Sequence, residues 1–363
     1  LHKAIRRQRQ MCIRDSFYFN QENLTLAPET EMEPTDENLL LPAFRYGISE
    51  FLKAIGASKV VIGVSGGIDS AVNAALYRSI LPAENILLVN TPTRYNSELT
   101  KGLAAELAKN LGCQLLTVPI GDFIDETADA LEGLPLPDDT VHLTGFMKEN
   151  MQARDRSSRI LAALSAAFGG IFTCNANKTE TTVGYGTLYG DLAGAFAATA
   201  DLWKYQIYDL GRKLNAWYGR AVIPEGIFTV MPSAELSENQ DVTQGKGDPL
   251  IYEYHDYLFR SFIEPWQRQT PEDILKAYAK GNLEDLIGCS IIVSNIFPTA
   301  KDFIEDLEKW WNLFSGFAVA KRIQTPPLLA VSRRPYGYDL RESQLRPYYT
   351  DAYLSLKEKL LAD

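Results

Sequence analysis

Between residues 59 and 174, short apolar runs alternate with longer stretches in which apolar residues recur at every third or fourth position. This alternation predicts strands that are separated by helices. The predicted strands are Lys59–Val64, Asn85–Asn90, Gln114–Val118 and Ile171–Cys174. The predicted helices are Leu41–Ile55, Ala71–Ile80, Leu99–Leu111 and Met147–Ala167. Because the strands are apolar throughout, we predict an α/β fold with a doubly wound parallel sheet and flanking helices.

The strand pattern is lost after residue 215, where segments with Pro and Gly separate short helical periods. Examples of these short helices are Pro271–Ala279 and Lys301–Trp310. The pattern predicts a helical C-terminal extension of the sheet domain. We place the whole domain at residues 41–335 and treat residues 336–363 as a C-terminal tail.

The residues before 41 differ in composition from the domain. Residues 1–16 are rich in Arg and Lys although the chain as a whole is acidic, and we interpret them as a non-native or artefactual tail. Residues 17–40 are polar and contain Pro and Glu, which is typical of a linker. We therefore expect the folded part to begin near Leu41.

Charge and cysteine content exclude several classes of function. The chain has 46 acidic and 36 basic residues, a net charge of −10 and a pI near 5.0, which argues against a duplex nucleic acid as partner. The longest apolar stretch, Ile160–Phe172, is too short and too interrupted to span a membrane. The four cysteines form no CxxC pair, so we expect a reduced, cytoplasmic protein without a disulfide or zinc framework.

The strongest local signal is the segment Ser65–Ser70, SGGIDS, between a predicted strand and a predicted helix. Its two glycines allow a tight turn, and the helix N-terminus offers unpaired N–H groups and the positive end of the helix dipole. The segment predicts a phosphate cradle, although it lacks the lysine of a Walker A loop. The carboxylate of Asp69 would repel phosphate unless Mg²⁺ lies between them.

A second polar loop, Asn175–Glu180, follows the fourth predicted strand. In an open parallel sheet, ligands bind at the carboxyl ends of strands near the switch in strand order, so both loops should face one crevice. There Glu180 would join Asp69 in holding Mg²⁺. A single Glu in a loop is more commonly a solvated side chain, and this alternative stays open at this stage.

Several motifs resemble those of known enzymes. SGGIDS resembles the pyrophosphate loop of the ATP pyrophosphatase superfamily, whose adenine nucleotide alpha hydrolase-like fold we therefore expect. Further motifs, in matching order and spacing, resemble the NAD synthetase family, and TLYGD resembles its glutamine-dependent branch. These motifs are PTRYNSE (92–98), ENMQAR (149–154), NKTE (177–180), GYGTLYGD (184–191), DLWK (201–204) and PSAEL (232–236).

The resemblance implies a role for individual residues. Asp69, Glu180 and Lys204 would be the catalytic residues, and Asp69 and Glu180 would bind Mg²⁺. Asn175 stands where the family usually has Thr, which keeps a side chain that can form hydrogen bonds. The implied ATP site is Gly63, Val64, Ser65, Gly66, Gly67, Ile68, Asp69, Ser70, Arg94, Asn175, Lys204 and Ser233. The implied deamido-NAD site is Asn150, Arg154, Glu180 and Lys321.

The resemblance also implies a reaction and its partners. A family member activates the carboxylate of deamido-NAD with ATP and Mg²⁺ as an acyl-adenylate, and ammonia then displaces AMP to give NAD. Glutamine-dependent members obtain ammonia from an upstream glutaminase domain, for which we find no room before residue 41. Family members are at least homodimers, and the Asp241–Pro249 segment, DVTQGKGDP, would be a mobile loop that orders over the site.

Three alternatives remain at this stage. The chain could be a stand-alone, ammonia-dependent NAD synthetase rather than the synthetase part of a glutamine-dependent enzyme. It could be another ATP pyrophosphatase such as GMP synthetase, although the NKTE and PSAEL motifs are not typical of that enzyme. It could also be an ATP-binding module without catalysis, which the presence of Asp69, Glu180 and Lys204 argues against.

Overall fold

A computed structural model describes residues 36–237, 240, 242–264, 268–332, 334–336 and 347–362. The predicted non-native tail, residues 1–16, lies outside these residues, as does most of the predicted linker. The chain divides into two compact units, Leu1–Leu40 and Leu41–Asp363. The second unit holds the sheet and all of the residues that we consider for function.

The centre of this unit is a parallel sheet of four strands in the order β3-β2-β1-β4. The strands are β1 Val60–Gly63, β2 Ile86–Asn90, β3 Gln114–Thr117 and β4 Ile171–Phe172. Each lies within the range that its apolar run predicts, so the α/β prediction is confirmed. From β1 the chain moves outward to β2 and β3 and then returns to place β4 on the other side of β1. The order therefore switches between β1 and β4, where a doubly wound sheet opens a crevice.

Helices cover the sheet. In the first half they are α1 Asp36–Ile55, α2 Ile68–Arg78, α3 Glu98–Leu111, α4 Gly121–Leu131, α5 Gly145–Arg154 and α6 Ala162–Phe168. α7 Lys178–Val183, α8 Lys204–Trp217 and α9 Glu225–Thr229 follow β4. The sequence pattern missed α4, α7 and α8 and began α1 later than Asp36. Helix boundaries depend on local caps: α3 begins at Ser97, whose hydroxyl accepts from the Thr100 N–H, and ends at Gly112 with a φ of 69°.

The predicted long helix over 147–167 is a continuous helical segment with a change of geometry inside it. α5 and α6 are joined by a π-helical stretch, Asp155–Leu161. Such π-helical turns are rare and often occur at functional sites, because they change the direction in which side chains project. Here the stretch places Arg156 beside the end of β2, where its Nε donates to the Thr91 carbonyl at 3.3 Å.

The C-terminal part is helical, as the sequence predicts, and has its own apolar core. Its helices are α10 Tyr252–Ile263, α11 Pro271–Lys280, α12 Leu283–Ile287, α13 Val293–Ile296, α14 Ala300–Ser315, α15 Ala318–Gln324 and α16 Asp351–Ala362. Trp310 and Phe259 are fully buried in this core. α16 lies in the range that we set apart as a tail, yet it packs on α11 and α14 and buries Tyr353 completely. Among the described residues, no helix has the length and apolar character needed to cross a membrane.

Candidate functional site

The SGGIDS segment forms the turn between β1 and α2, as predicted, and its own side chains close it. The Ser65 hydroxyl accepts from the Gly67 N–H at 3.2 Å, and the Ser70 hydroxyl donates to the Gly67 carbonyl at 3.0 Å. Gly67 is the N-cap residue of α2 and provides no side-chain cap. The N–H groups of the first turn of α2 are therefore available to an anion at the mouth of the turn.

Gly66 is the residue on which the shape of this turn depends. Its φ is 88°, in the left-handed region, and a Cβ atom would lie 2.2 Å from the Thr100 carbonyl oxygen. Any side chain would therefore be strained twice, by its own backbone angle and by overlap with α3. The turn can pack against α3 only because residue 66 is glycine.

The second polar loop follows β4 and leads into α7. The side chain of Asn177 links the two loops: its Oδ1 accepts from the Glu180 N–H at 3.0 Å, and its Nδ2 donates to Asp69 Oδ1 at 2.9 Å. Asn177 thus caps α7 and at the same time orients a carboxylate of the phosphate turn. The prediction that both loops face one crevice is confirmed by this contact.

Lys204, the first residue of α8, joins the two predicted metal carboxylates. Its Nζ lies 2.6 Å from Asp69 Oδ2 and 3.0 Å from Glu180 Oε1. The lysine is buried, whereas each carboxylate side chain keeps 21% of its surface exposed at the mouth of the crevice. The alternative that Glu180 is merely a solvated loop residue is therefore wrong.

Burial and charge act in opposite directions on these groups. Burial by itself lowers the pKa of Lys204, but the charges of Asp69 and Glu180 outweigh it and raise that pKa well above its usual value. The pKa of Asp69 is raised, chiefly by burial and then by Glu180, while Lys204 and Asn177 oppose the shift. Lys204 is consequently a permanent cation at neutral pH, as a phosphate ligand needs to be.

Two buried side chains, those of Lys178 and Thr179, hold the Asn175–Glu180 loop in place. The side chain of Lys178 is completely buried, and its Nζ donates to Asp201 and Glu264 at 2.9 Å each and to the Ser332 hydroxyl at 2.7 Å. The Thr179 hydroxyl donates to Asp256 and accepts from the Lys204 N–H at 3.0 Å. Burial raises the pKa of Asp256 to about 6. These contacts fix the position of α8, and with it the ammonium group of Lys204.

The two carboxylates also fit a metal ion. Oxygens of Asp69 and Glu180 converge on one ammonium nitrogen, which shows that they can share a cation. Across the described ranges, no cluster of three or more His, Cys, Asp or Glu residues could hold a metal. Mg²⁺ is suited to so small a donor set, since it commonly binds one or two carboxylates and takes its other ligands from phosphate and water.

The predicted deamido-NAD residues come together along the GYGTLYGD segment. Asn150 accepts from the Thr187 hydroxyl at 2.9 Å, and Arg154 Nε donates to the Leu188 carbonyl at 3.1 Å. Lys321, on α15, donates to the Gly184 carbonyl at 2.6 Å. Three polar side chains from α5 and α15 therefore border one backbone segment that leads away from Glu180.

Three further residues predicted to bind ATP, Asn175, Arg94 and Ser233, have different surroundings. Asn175 lies at the cradle, because its Nδ2 donates to the Gly63 carbonyl at 2.9 Å. Arg94 is exposed and pairs with Asp125 at 3.3 Å, away from the contacts that join the two loops. The Ser233 hydroxyl donates to the Gln240 carbonyl at 2.7 Å and accepts from the Glu235 N–H at 3.1 Å, so it braces its own segment. The ATP-binding roles of all three stay predictions.

Sequence reasoning missed several residues of the site. Tyr252 lies with its hydroxyl 2.9 Å from Glu180 Oε1, and the Lys204 ammonium lies 4.8 Å from the centre of its ring. Asp248, in the segment predicted to be a mobile loop, lies 3.0 Å from the same hydroxyl. Asn177 had a local signal, since an Asn three residues before a Glu is a typical helix start. Tyr252 and Asp248 had no local signal, because they follow Glu180 by 72 and 68 residues along the chain.

Glu235 connects PSAEL to the turn after β2. Its carboxylate accepts from the Ser97 N–H at 3.1 Å and from the Thr100 hydroxyl at 2.7 Å. Its φ is 45°, an uncommon value for a residue other than glycine. The contact brings the two polar motifs, 92–98 and 232–236, together in the fold.

Comparisons with known proteins agree with this geometry. A family model described as NAD synthase matches residues 41–287. A glutamine-dependent NAD(+) synthetase from Thermotoga maritima is 38% identical over 244 residues, which cover 66% of this chain and 40% of that protein. A protein of the same name from Xylella fastidiosa strain Temecula1 is 37% identical over 315 residues, which cover 86% of this chain and 51% of that protein. The chain spans about half the length of these curated relatives, or less.

A solved structure matches as well. The crystal structure of a glutamine-dependent NAD(+) synthetase from Cytophaga hutchinsonii superposes with a TM-score of 0.65 at 17% sequence identity. The match covers 89% of this chain and 56% of that one. At this level of identity the similarity establishes a shared fold.

Proposed function

The chain belongs to the NAD synthase family, and from this premise we propose that it catalyses the ATP-dependent amidation of deamido-NAD to NAD. The observation that carries the proposal is the triad of Lys204, Asp69 and Glu180 at the mouth of the phosphate turn. It lies where the strand order switches between β1 and β4, the usual ligand site of such a sheet.

ATP would bind with its phosphates on the Ser65–Ser70 turn. The N–H groups of the first turn of α2 would donate to phosphate oxygens, and Lys204 would add a positive charge. The anchored start of α8 holds Lys204 next to the turn, where its ammonium group would exchange contacts with the two carboxylates for phosphate oxygens. Asn175 would add an amide group at the edge of the cradle.

We propose Mg²⁺ as the metal and Asp69 and Glu180 as its protein ligands. Their convergence on one cation supports this assignment. When bound, Mg²⁺ neutralises phosphate charge and stabilises the pyrophosphate leaving group. The residues of the chain have the separate task of orienting the two carboxylates: Asn177 and Lys204 donate to Asp69, and Lys204 also donates to Glu180.

Deamido-NAD would bind along the segment 184–191. Asn150 supplies an amide group there, and Arg154 and Lys321 supply positive charge for an anionic dinucleotide. Burial lowers the pKa of Lys321, an effect that Asp191 opposes. The substrate would then extend from Lys321 towards Glu180, with its reacting carboxylate next to the phosphate turn.

The reaction would proceed in two steps. The nicotinate carboxylate attacks the α-phosphorus of ATP, the bond from that phosphorus to the bridging oxygen breaks, and pyrophosphate leaves with the electron pair. Ammonia then attacks the acyl carbon, AMP leaves with its oxygen, and the amide nitrogen loses a proton. Repulsion between the carboxylate and the phosphates is the main barrier, and Lys204 and the N–H groups of the turn lower it. Water has to be excluded while the adenylate exists.

Glutamine is the ammonia source that we propose for the physiological reaction, since the curated relatives are named glutamine-dependent. The hydrolysis would take place on a separate glutaminase domain. Cys113, Cys174 and Cys289 are buried, and burial raises the pKa of the Cys174 thiol to about 12. Among the described residues, no cysteine therefore suits glutamine hydrolysis. Homo-oligomerisation and a cytoplasmic location stay predictions.

The test is product formation from deamido-NAD, ATP and Mg²⁺, with ammonium or glutamine as the nitrogen donor. We expect NAD, AMP and pyrophosphate with ammonium, and loss of all three products when Mg²⁺ is chelated. Glutamine is expected to give no product unless a glutaminase is added. Absence of NAD with ammonium, while ATP–pyrophosphate exchange that depends on deamido-NAD persists, would mean that the carboxylate is activated but not amidated. Absence of both would contradict the proposed substrate.

A further inference from the structure

The hydroxyl group of Tyr252 lies between two carboxylates. It is 2.9 Å from Glu180 Oε1 and 3.0 Å from Asp248 Oδ2. The tyrosine is the first residue of α10 and is buried, with its ring beside the Lys204 ammonium. A phenol has a single hydrogen to donate, so its orientation decides which carboxylate receives it.

The carboxylate of Asp248 accepts two hydrogen bonds from groups other than Tyr252. Its Oδ1 accepts from the Tyr185 hydroxyl at 2.9 Å and from the Ala234 N–H at 3.2 Å. The Tyr185 hydroxyl in turn accepts from Gln240 Nε2 at 3.0 Å, which leaves the phenol hydrogen of Tyr185 for Asp248. Asp248 is therefore fixed by two donors without Tyr252, which leaves the single phenol hydrogen of Tyr252 for Glu180.

Both donors to Glu180 approach the same oxygen. Lys204 Nζ and the Tyr252 hydroxyl lie 3.0 and 2.9 Å from Oε1. Two donors on one oxygen restrict rotation of the carboxylate and leave Oε2 as the oxygen that a ligand can take. Lys204 alone would restrict it less, because its ammonium group is shared with Asp69.

We propose that Tyr252 is a positioning residue for Glu180, which it holds with Oε2 presented to the ligand of the site. The proposal rests on the proposed function in taking that ligand to be Mg²⁺ with ATP. It assigns a purpose to the segment between α9 and α10, since Asp248 and Gln240 connect that segment to Glu180 through two tyrosine hydroxyls. A ligand that moves the Glu180 carboxylate would therefore also shift this segment. A shift of this segment would in turn move the carboxylate.

The test compares Tyr252→Phe with Tyr254→Phe in the full chain. Both tyrosines are buried on α10, but the Tyr254 hydroxyl has no hydrogen-bond partner in the described structure, so its removal is a matched control. Isothermal titration calorimetry would measure ATP binding at a series of Mg²⁺ concentrations, which requires no turnover. Because a hydrogen bond to a charged group is lost, we expect Tyr252→Phe to need roughly tenfold more Mg²⁺ for the same ATP affinity. Tyr254→Phe is expected to match the wild type.

The same Mg²⁺ dependence in both variants would overturn the proposal. Asp248→Asn tests whether Asp248 acts on Glu180 only through the Tyr252 hydroxyl: combined with Tyr252→Phe it should add little to the change in Mg²⁺ dependence, and fully additive effects would refute that link. If the proposed function were wrong but the positioning role of Tyr252 correct, the experiments would give a different result. In that case the wild type forms no NAD, while the Mg²⁺ dependence of ATP binding still separates the two tyrosine variants.

Discussion

Two lysines of the same loop region have similar partners and different tasks. Lys178 and Lys204 each bridge two carboxylates. Asp201, one partner of Lys178, is completely buried, and the Ser332 hydroxyl occupies a third position on that ammonium. The carboxylate partners of Lys204 are both partly open to solvent. The first lysine is thus a closed structural ion pair, whereas the second can exchange protein contacts for a ligand.

Replacing each lysine with methionine should separate these tasks. Lys178→Met leaves the buried carboxylate of Asp201 without its cation and is expected to lower the free energy of unfolding by about 3–5 kcal/mol. Lys204→Met should lower kcat/KM by roughly 100-fold or more while destabilising the fold less, because Asp69 and Glu180 keep contact with water. Urea unfolding and steady-state kinetics measure the two effects. A stable Lys178→Met protein without activity would contradict the distinction.

At the scale of elements, the site is a junction of two strand ends and three helix starts. β1 leads into α2, β4 leads into α7, and α8 begins with Lys204. The strands were predictable from their apolar runs, because a strand buried on both faces excludes polar side chains. The helix starts were less predictable, since a cap depends on individual hydrogen bonds such as those of Asn177.

The turn between β1 and α2 should be intolerant of a side chain at Gly66. Gly66→Ala is expected to abolish measurable ATP binding and to lower the free energy of unfolding by about 1–3 kcal/mol or more, because of strain and overlap with Thr100. Gly102→Ala, on the neighbouring helix α3, is the control: a Cβ meets nothing within 4 Å there and should be neutral or stabilising. Calorimetric ATP binding and thermal unfolding would check both. Retained ATP binding by Gly66→Ala would argue against the cradle.

At the scale of the whole molecule, the helical C-terminal part supports the site. Tyr252 and Asp256 reach the crevice from α10, and α10 packs against the aromatic core around Trp310. α16 closes the same core: the Tyr353 hydroxyl donates to Glu308 at 3.0 Å, and Lys357 pairs with the same carboxylate at 2.6 Å. Residues beyond the matched family segment thus stabilise the helix that carries Tyr252.

We expect α16 to contribute to global stability. Tyr353→Ala should lower the free energy of unfolding by about 3–5 kcal/mol, as removal of a buried aromatic ring does. Leu361→Ala on the same helix is the control, since Leu361 is 47% exposed and its replacement should change stability by no more than about 0.5 kcal/mol. Chemical denaturation measures both. Equal stability of the two variants would mean that α16 is a dispensable tail.

The sequence by itself determined the parallel sheet, the phosphate turn and the family resemblance. It did so because these depend on neighbours along the chain: apolar runs form strands, and a loop that follows a parallel strand emerges at the ligand-binding edge. The pair Asp69 and Glu180 was predictable for the same reason, since each residue follows a strand of the same edge. The family model confirms the resemblance over residues 41–287.

Only the tertiary structure decided which distant residues complete the site. Tyr252 contacts it from α10 and Asp248 from the segment before α10, and no local pattern encodes these contacts. Tertiary contacts also decided the partner of Arg94, which pairs with exposed Asp125. The physical reason is that periodicity and caps act over a few residues, whereas a hydrogen bond between side chains far apart in sequence depends on the whole core.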